Sequence, residues 1–137
     1  MESHFSLNDV EFEQQFESGT FEPRLFSHEA HLRLAWIHLK KYGIDRAMEN
    51  IRKQLTQFVE ILGAKDRYNE TVTMAAIKAV NHFMQRSGTN NFKDFIAENS
   101  RLKFHFKELL RSHYRTNIFG SEFAKKEFLQ PELSPFD

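Results

Sequence analysis

The apolar residues of this chain recur at three- and four-residue spacing, and no run alternates with period two for long, so the pattern predicts helices rather than strands. Five glycines, Gly19, Gly43, Gly63, Gly88 and Gly120, separate the periodic stretches. Glycine just past a helix end relieves the strain of the left-handed conformation. The prolines, Pro23, Pro131 and Pro135, interrupt none of these stretches. Helices are expected over about 7–18 (Ser6 as N-cap), 28–42 (Ser27), 46–62 (Asp45) and 70–86 (Asn69). Shorter ones are expected over about 91–98 and 101–113, with a last beginning at Ser121. The tail, LQPELSPFD, reads as an extended strap.

Short links between long helices favour antiparallel neighbours. The expected architecture is all-α: one compact domain over residues 1–137, a bundle of about four main antiparallel helices plus short ones. Its expected parts are an N-terminal acidic helix and connection (1–25), a bundle core (26–113), and a short helix with the tail (114–137). No internal repeat is visible.

Projection at 100° per residue sorts each helix into faces. In 28–42, His28, Leu32, Ala35, Leu39 and Tyr42 form one stripe. His31 and His38 flank it on one side and Trp36 on the other. Arg33, Ile37 and Lys40 face away. Leu34 and Ile37 lie off the stripe and weakly favour a second contact surface. In 70–86, Glu70, Thr73, Ile77, Val80 and Met84 share the inward face, and His82 lies on the opposite one. Near 102–113 the stripe runs Leu102, Phe106, Leu109, His113. Two imidazoles and a carboxylate pointing inward are unusual, because each buried polar atom needs a partner.

Composition narrows the chemistry. The chain has 137 residues, 40% apolar and 28% charged, enough for one packed domain. No cysteine means no disulfide, thiolate metal site or cysteine nucleophile. Nineteen bases balance nineteen acids, which gives no reason to expect nucleic acid or an anionic membrane as partner. The balance is uneven along the chain: residues 1–30 hold seven acids and one base, Arg24, leaving eighteen bases and twelve acids beyond them. Fifteen phenylalanines are spread from Phe5 to Phe136 and read mostly as core. Interleaved aromatics could stack bases, but the composition lacks a matching basic groove. Neither a secretory signal nor a long apolar span is visible, so the expected location is cytoplasmic. There is no P-loop, dinucleotide fingerprint, G-x-S-x-G or H-E-x-x-H.

Three segments also carry a likeness: F26-S-H-E-A-H-L-R-L-A-W36, Y68-N-E-T-V-T73 and F119-G-S-E-F-A with F128-L-Q-P-E-L133. They resemble a family of small uncharacterised bacterial all-α proteins that share F-x-H-x-x-H-L-x-x-A-W, Y-H-E-T-x-T and a closing S-x-x-A…P-x-L. The resemblance groups His28, His31, Glu70, Thr71 and Thr73, and supplies no reaction. Asn69 stands where the family pattern has histidine.

Together these residues suggest a small-molecule or metal-ion site between two helices. Imidazoles at i and i+3 with a carboxylate suit a divalent cation such as iron, manganese or zinc, with His28, His31 and Glu70 as ligands. Without metal, His28 or His31 would be a general base oriented by Glu70, with Asn69, Thr71, Thr73 and His113 contacting the ligand. The alternative is an interaction protein, homodimeric or not, in which the His/Glu pair only locks helix packing. The sequence leaves enzyme and binding protein open.

Overall fold

The computed structural model describes residues 1–136. The protein is all-α, 66% helical, with no strand among these residues. The chain divides into two compact units, Met1–Tyr68 and a second beginning at Asn69.

The first unit opens with a 3-10 turn, Ser3–Ser6. Helix α1 follows over Asp9–Ser18. Its cap is Asn8, not Ser6: Asn8 Oδ1 accepts from Glu11 N at 2.8 Å, and Glu11 Oε1 accepts from Asn8 N at 3.0 Å. This reciprocal box satisfies two otherwise orphaned donors and places the start two residues later than periodicity alone. Gly19 ends the helix at φ 77°, and a Cβ there would meet Ile61 Cδ1 at 3.0 Å. The left-handed backbone conformation is what favours glycine here, since the Ile61 tip can move aside.

Helix α2 spans His28–Tyr42, with Ser27 as the expected cap. Helix α3 spans Ile44–Ile61. A single residue, Gly43 at φ 83°, joins them. Asp45 therefore lies inside the first turn of α3 rather than at its cap. So short a link turns the two helices into a hairpin, and their pairing is the most extensive in this unit.

The faces of α2 depart from the projection. Leu34 and Ile37 are buried, as is Arg33 at 3% exposure, although a stripe was expected to leave them outside. His28 and His31, expected inside, are exposed. A helix buried around most of its girth has no single inward stripe, so the apolar moment loses its directional meaning. Burial of Leu34 and Ile37 removes them as a second contact surface.

Five of the phenylalanines gather in this unit. Phe12–Phe21 ring centres lie 4.7 Å apart, Phe16–Phe58 and Phe16–Phe26 4.9 Å, and Phe26–Phe58 5.0 Å. Stacked, tilted and edge-on pairs such as these add about 0.5–1.5 kcal/mol each beyond their buried area.

In the second unit α4 covers Glu70–Met84, capped by Asn69 Oδ1 accepting from Val72 N at 3.0 Å. Helix α5 is Phe92–Glu98. The single helix expected at 101–113 is two: α6, Arg101–Phe104, and α7, Phe106–Arg111. The break falls at His105 (φ −134°, ψ 36°), within the Phe-His-Phe run, whose members have middling helix propensity. Helix α8, Glu122–Lys126, starts after Ser121 as expected.

Beyond α8 the chain lies extended along this unit. Thr71 Oγ1 donates to Glu127 O at 2.9 Å and accepts from Leu129 N at 3.0 Å. Tyr114 OH donates to Leu129 O at 2.8 Å, and Leu133 N donates to His113 O at 2.9 Å. Phe136 stacks on His113 with centres 4.1 Å apart. The strap read from the sequence is present through residue 136; Asp137 lies outside the described residues.

Candidate functional site

The polar residues singled out from the sequence fall into two sets. In the second unit, Glu70 is buried in the first turn of α4. Asn69, Thr71, Thr73 and His113 carry bonds to the backbone. Asn69 Nδ2 donates to Ile118 O at 2.9 Å, and Thr73 Oγ1 donates to Asn69 O at 2.7 Å. Thr71 clips the strap, and His113 Nδ1 donates to Ser134 O at 2.8 Å. These side chains fasten the cap of α4 and the tail.

In the first unit, His28 and His31 stand exposed on the first turn of α2. The edge of the His31 ring meets the face of Phe26, centres 4.1 Å apart. Crowding around the His31 ring, then His28 beside it, lowers its pKa to about 4. Water still reaches this residue, which moderates the effect of the crowding.

The buried His/Glu pair of this unit is a different one. His4, in the N-terminal turn, is 1% exposed, and Glu29 of α2 is 4% exposed. His4 Nε2 lies 2.7 Å from Glu29 Oε1. Arg33, one turn further along α2, completes the cluster. Its Nη1 donates to His4 Nδ1 at 3.2 Å and to His4 O at 2.8 Å. Its Nη2 donates to Leu7 O at 2.8 Å and to Asp9 Oδ1 at 2.9 Å. The guanidinium also lies over Phe12, 4.8 Å from the ring centre. The Ser27 hydroxyl caps α2 and also donates to the Glu2 carboxylate. Residues 27, 29 and 33 of α2 thus hold the segment 2–9 that precedes α1.

This arrangement fixes the imidazole. A guanidinium only donates, so Nδ1 is the acceptor and the proton sits on Nε2, where it bonds Glu29. Burial lowers the His4 pKa and Arg33 pushes the same way, against the Glu29 bond, so the ring is held neutral.

Glu2, His4 and Glu29 each offer an atom within 4.8 Å of the others, the grouping among the described residues dense enough to hold a cation. The donor set does not fit one. A metal would need the Nε2 lone pair, which moves the proton to Nδ1 and sets it against the Arg33 donor 3.2 Å away. Binding would also bring a cation to a centre that already contains a buried guanidinium.

A second buried histidine lies on α2. His38 is 0% exposed. Its Nδ1 is 3.5 Å from Asn50 Nδ2, and its Nε2 has no partner. Burial lowers its pKa; Glu13 and Glu17 oppose that and Lys41 assists it. Glu13 beside it is held by Lys41 at 3.0 Å and Tyr42 at 2.5 Å. Burial raises the Glu13 pKa, but these two donors outweigh it and the net shift is downward.

An open cleft of about 630 Å³ adjoins the His4 cluster. Glu2, Phe5, Gln15, Glu22, Arg24 and Leu25 are among its walls, so Glu2 belongs to both cleft and cluster. Arg24 Nε is 2.5 Å from Glu22 Oε1.

The expected residues and the observed cluster are neighbours in sequence. Projection chose His28 and His31; the structure uses Ser27, Glu29 and Arg33 from the same stretch. The spacing of Glu29 and Arg33, i and i+4, was a visible signal of a shared face. His4 was not visible, because four turn residues have no periodicity to project.

No helix among the described residues is long and apolar enough to cross a membrane. No protein-family model matches the chain, nor does any curated protein or solved structure.

Proposed function

We propose that this protein binds a small molecule in the cleft of its first unit, without a resident metal. One observation carries the reading: Glu2 lines the cleft while its carboxylate is held by Ser27 and backed by His4 at 3.8 Å. A wall built on a buried, fully bonded cluster is pre-organised, which lowers the ordering cost of binding. Phe5 and Leu25 add apolar surface, and Gln15 and the Glu22–Arg24 pair add polar contacts, the usual mixture for a small-ligand site. His4, Glu29 and Arg33 are positioning residues in this proposal, not contacts. The cytoplasmic location and bacterial source read from the sequence belong to the same proposal.

The second reading, an interaction protein whose cluster only locks packing, draws on the completeness of the Arg33 bonds. The two readings separate by titration. Benzylamine offers an ammonium for Glu2 and a ring for Phe5; benzoate offers a carboxylate for Arg24. Either probe, followed by amide NMR, should move resonances of Glu2, Phe5, Gln15 and Leu25. Glu2→Gln should weaken the benzylamine response at least five-fold. Shifts from neither probe at millimolar concentration would favour the lock alone.

A further inference from the structure

The balanced net charge conceals a segregation that appears once partners are assigned. Of the seven acids in residues 1–30, six are engaged within the first unit, Glu11 through the Asn8 capping box. Glu2 accepts from Ser27, Asp9 from Arg33 and Glu13 from Lys41, while Glu22 pairs with Arg24 and Glu29 with His4. From residue 69 on the chain is close to balance, ten bases against eight acids, but the stretch 101–126 is not: it holds seven Lys and Arg against two acids, Glu108 and Glu122, with Glu132 of the strap beside Arg115. Arg101, Lys107, Arg111, Arg115 and Lys126 are exposed.

The same stretch displays aromatic rings. Phe104 is 67% exposed, Phe119 42% and Phe123 55%. Two of them carry an ammonium: Lys103 Nζ is 5.2 Å from the Phe104 ring centre, and Lys107 Nζ is 5.3 Å from that of Phe119. Lys107 therefore joins α7 to the segment leading into α8.

We propose that the α6–α8 face of the second unit binds single-stranded nucleic acid. Phosphates meet the exposed Arg and Lys side chains, and unstacked bases lie on Phe104 and Phe119. Charge alone would suit any polyanion. Planar rings beside the cations favour bases, whose π faces stack on aromatic side chains irrespective of sequence.

The test is fluorescence anisotropy of the full chain with labelled oligo(dT) and oligo(U) of twenty nucleotides. About four phosphate contacts predict a salt slope near −3, so affinity should fall roughly fifty-fold between 50 and 200 mM NaCl. Phe104→Ala with Phe119→Ala should weaken binding roughly five-fold or more at 200 mM, where charge is screened. Lys107→Glu with Arg111→Glu should weaken it at least ten-fold at 50 mM. These positions are exposed, and circular dichroism confirms folding of each variant. Absence of binding at 50 mM would overturn the proposal. So would charge-reversal loss without any effect of the Phe substitutions, or equal capture by phosphatidylserine vesicles. Either result would make the face a general polyanion or membrane surface.

Discussion

Two buried histidines in the first unit face the same cost of dehydration and meet it differently. His4 is bonded at both ring nitrogens, to Glu29 and to Arg33. His38 has a long contact to Asn50 at one nitrogen and nothing at the other. The difference comes from their surroundings. The turn at residues 3–6 brings His4 to the first turns of α2, where Glu29 and Arg33 project together. His38 lies mid-helix, where Asn50 of α3 approaches only one ring nitrogen and Glu13 of α1 is already held by Lys41 and Tyr42. A buried polar group costs most when its partner is removed, and much less when the group itself is replaced by a hydrophobe of like shape. The two sites should therefore respond to mutation by very different amounts.

The largest effect is expected at Arg33. Arg33→Met keeps much of the stem but strips donors from His4, Leu7 and Asp9, and should lower unfolding free energy in urea by about 3 kcal/mol or more. A loss below about 1 kcal/mol would show that the cluster is not a lock. Next is the pair itself. A double-mutant cycle with His4→Phe and Glu29→Gln should give a coupling of about 1–3 kcal/mol, and additivity would deny that the two act together. The smallest effect at neutral pH is expected for His38→Phe, within about 1 kcal/mol of wild type and of either sign.

Acid sharpens the contrast. Both histidines have folded pKa values below the unfolded 6.5, so the unfolded chain takes up protons first. The stability they support is complete above about pH 6.5 and is lost as pH falls from there towards the folded values. Each proton contributes a slope of at most about 1.4 kcal/mol per pH unit. His38→Phe should make the fall in stability below pH 6.5 shallower in urea titrations. An unchanged slope would mean that His38 does not titrate on unfolding. Glu13, whose folded pKa is depressed, adds stability present above about 4.5 and lost below it.

Much of the fold was legible in the chain. Ser27 and Asn69 capped the helices they were expected to cap, because capping is a local exchange between one side chain and the next turn's amides. Gly19, Gly43 and Gly63 each adopt positive φ at a helix end. The break at His105 was less legible, since no glycine or proline marks it. On α4 the expected inward residues Ile77 and Val80 are buried. On α2, buried nearly all round, the projection put His28 and His31 inside and Arg33 outside, the reverse of what is found.

The sequence by itself determined the helical class, the punctuation and most caps, because these depend on residues within a turn of one another. Tertiary structure alone decided that His4 and Arg33 would share a buried cluster with Glu29. It also decided which of the balanced charges are spent internally and which face solvent. Those outcomes join residues some 25 positions apart through a turn with no periodicity. A charged side chain goes inside only where the fold brings it a partner, and a linear pattern does not encode that meeting.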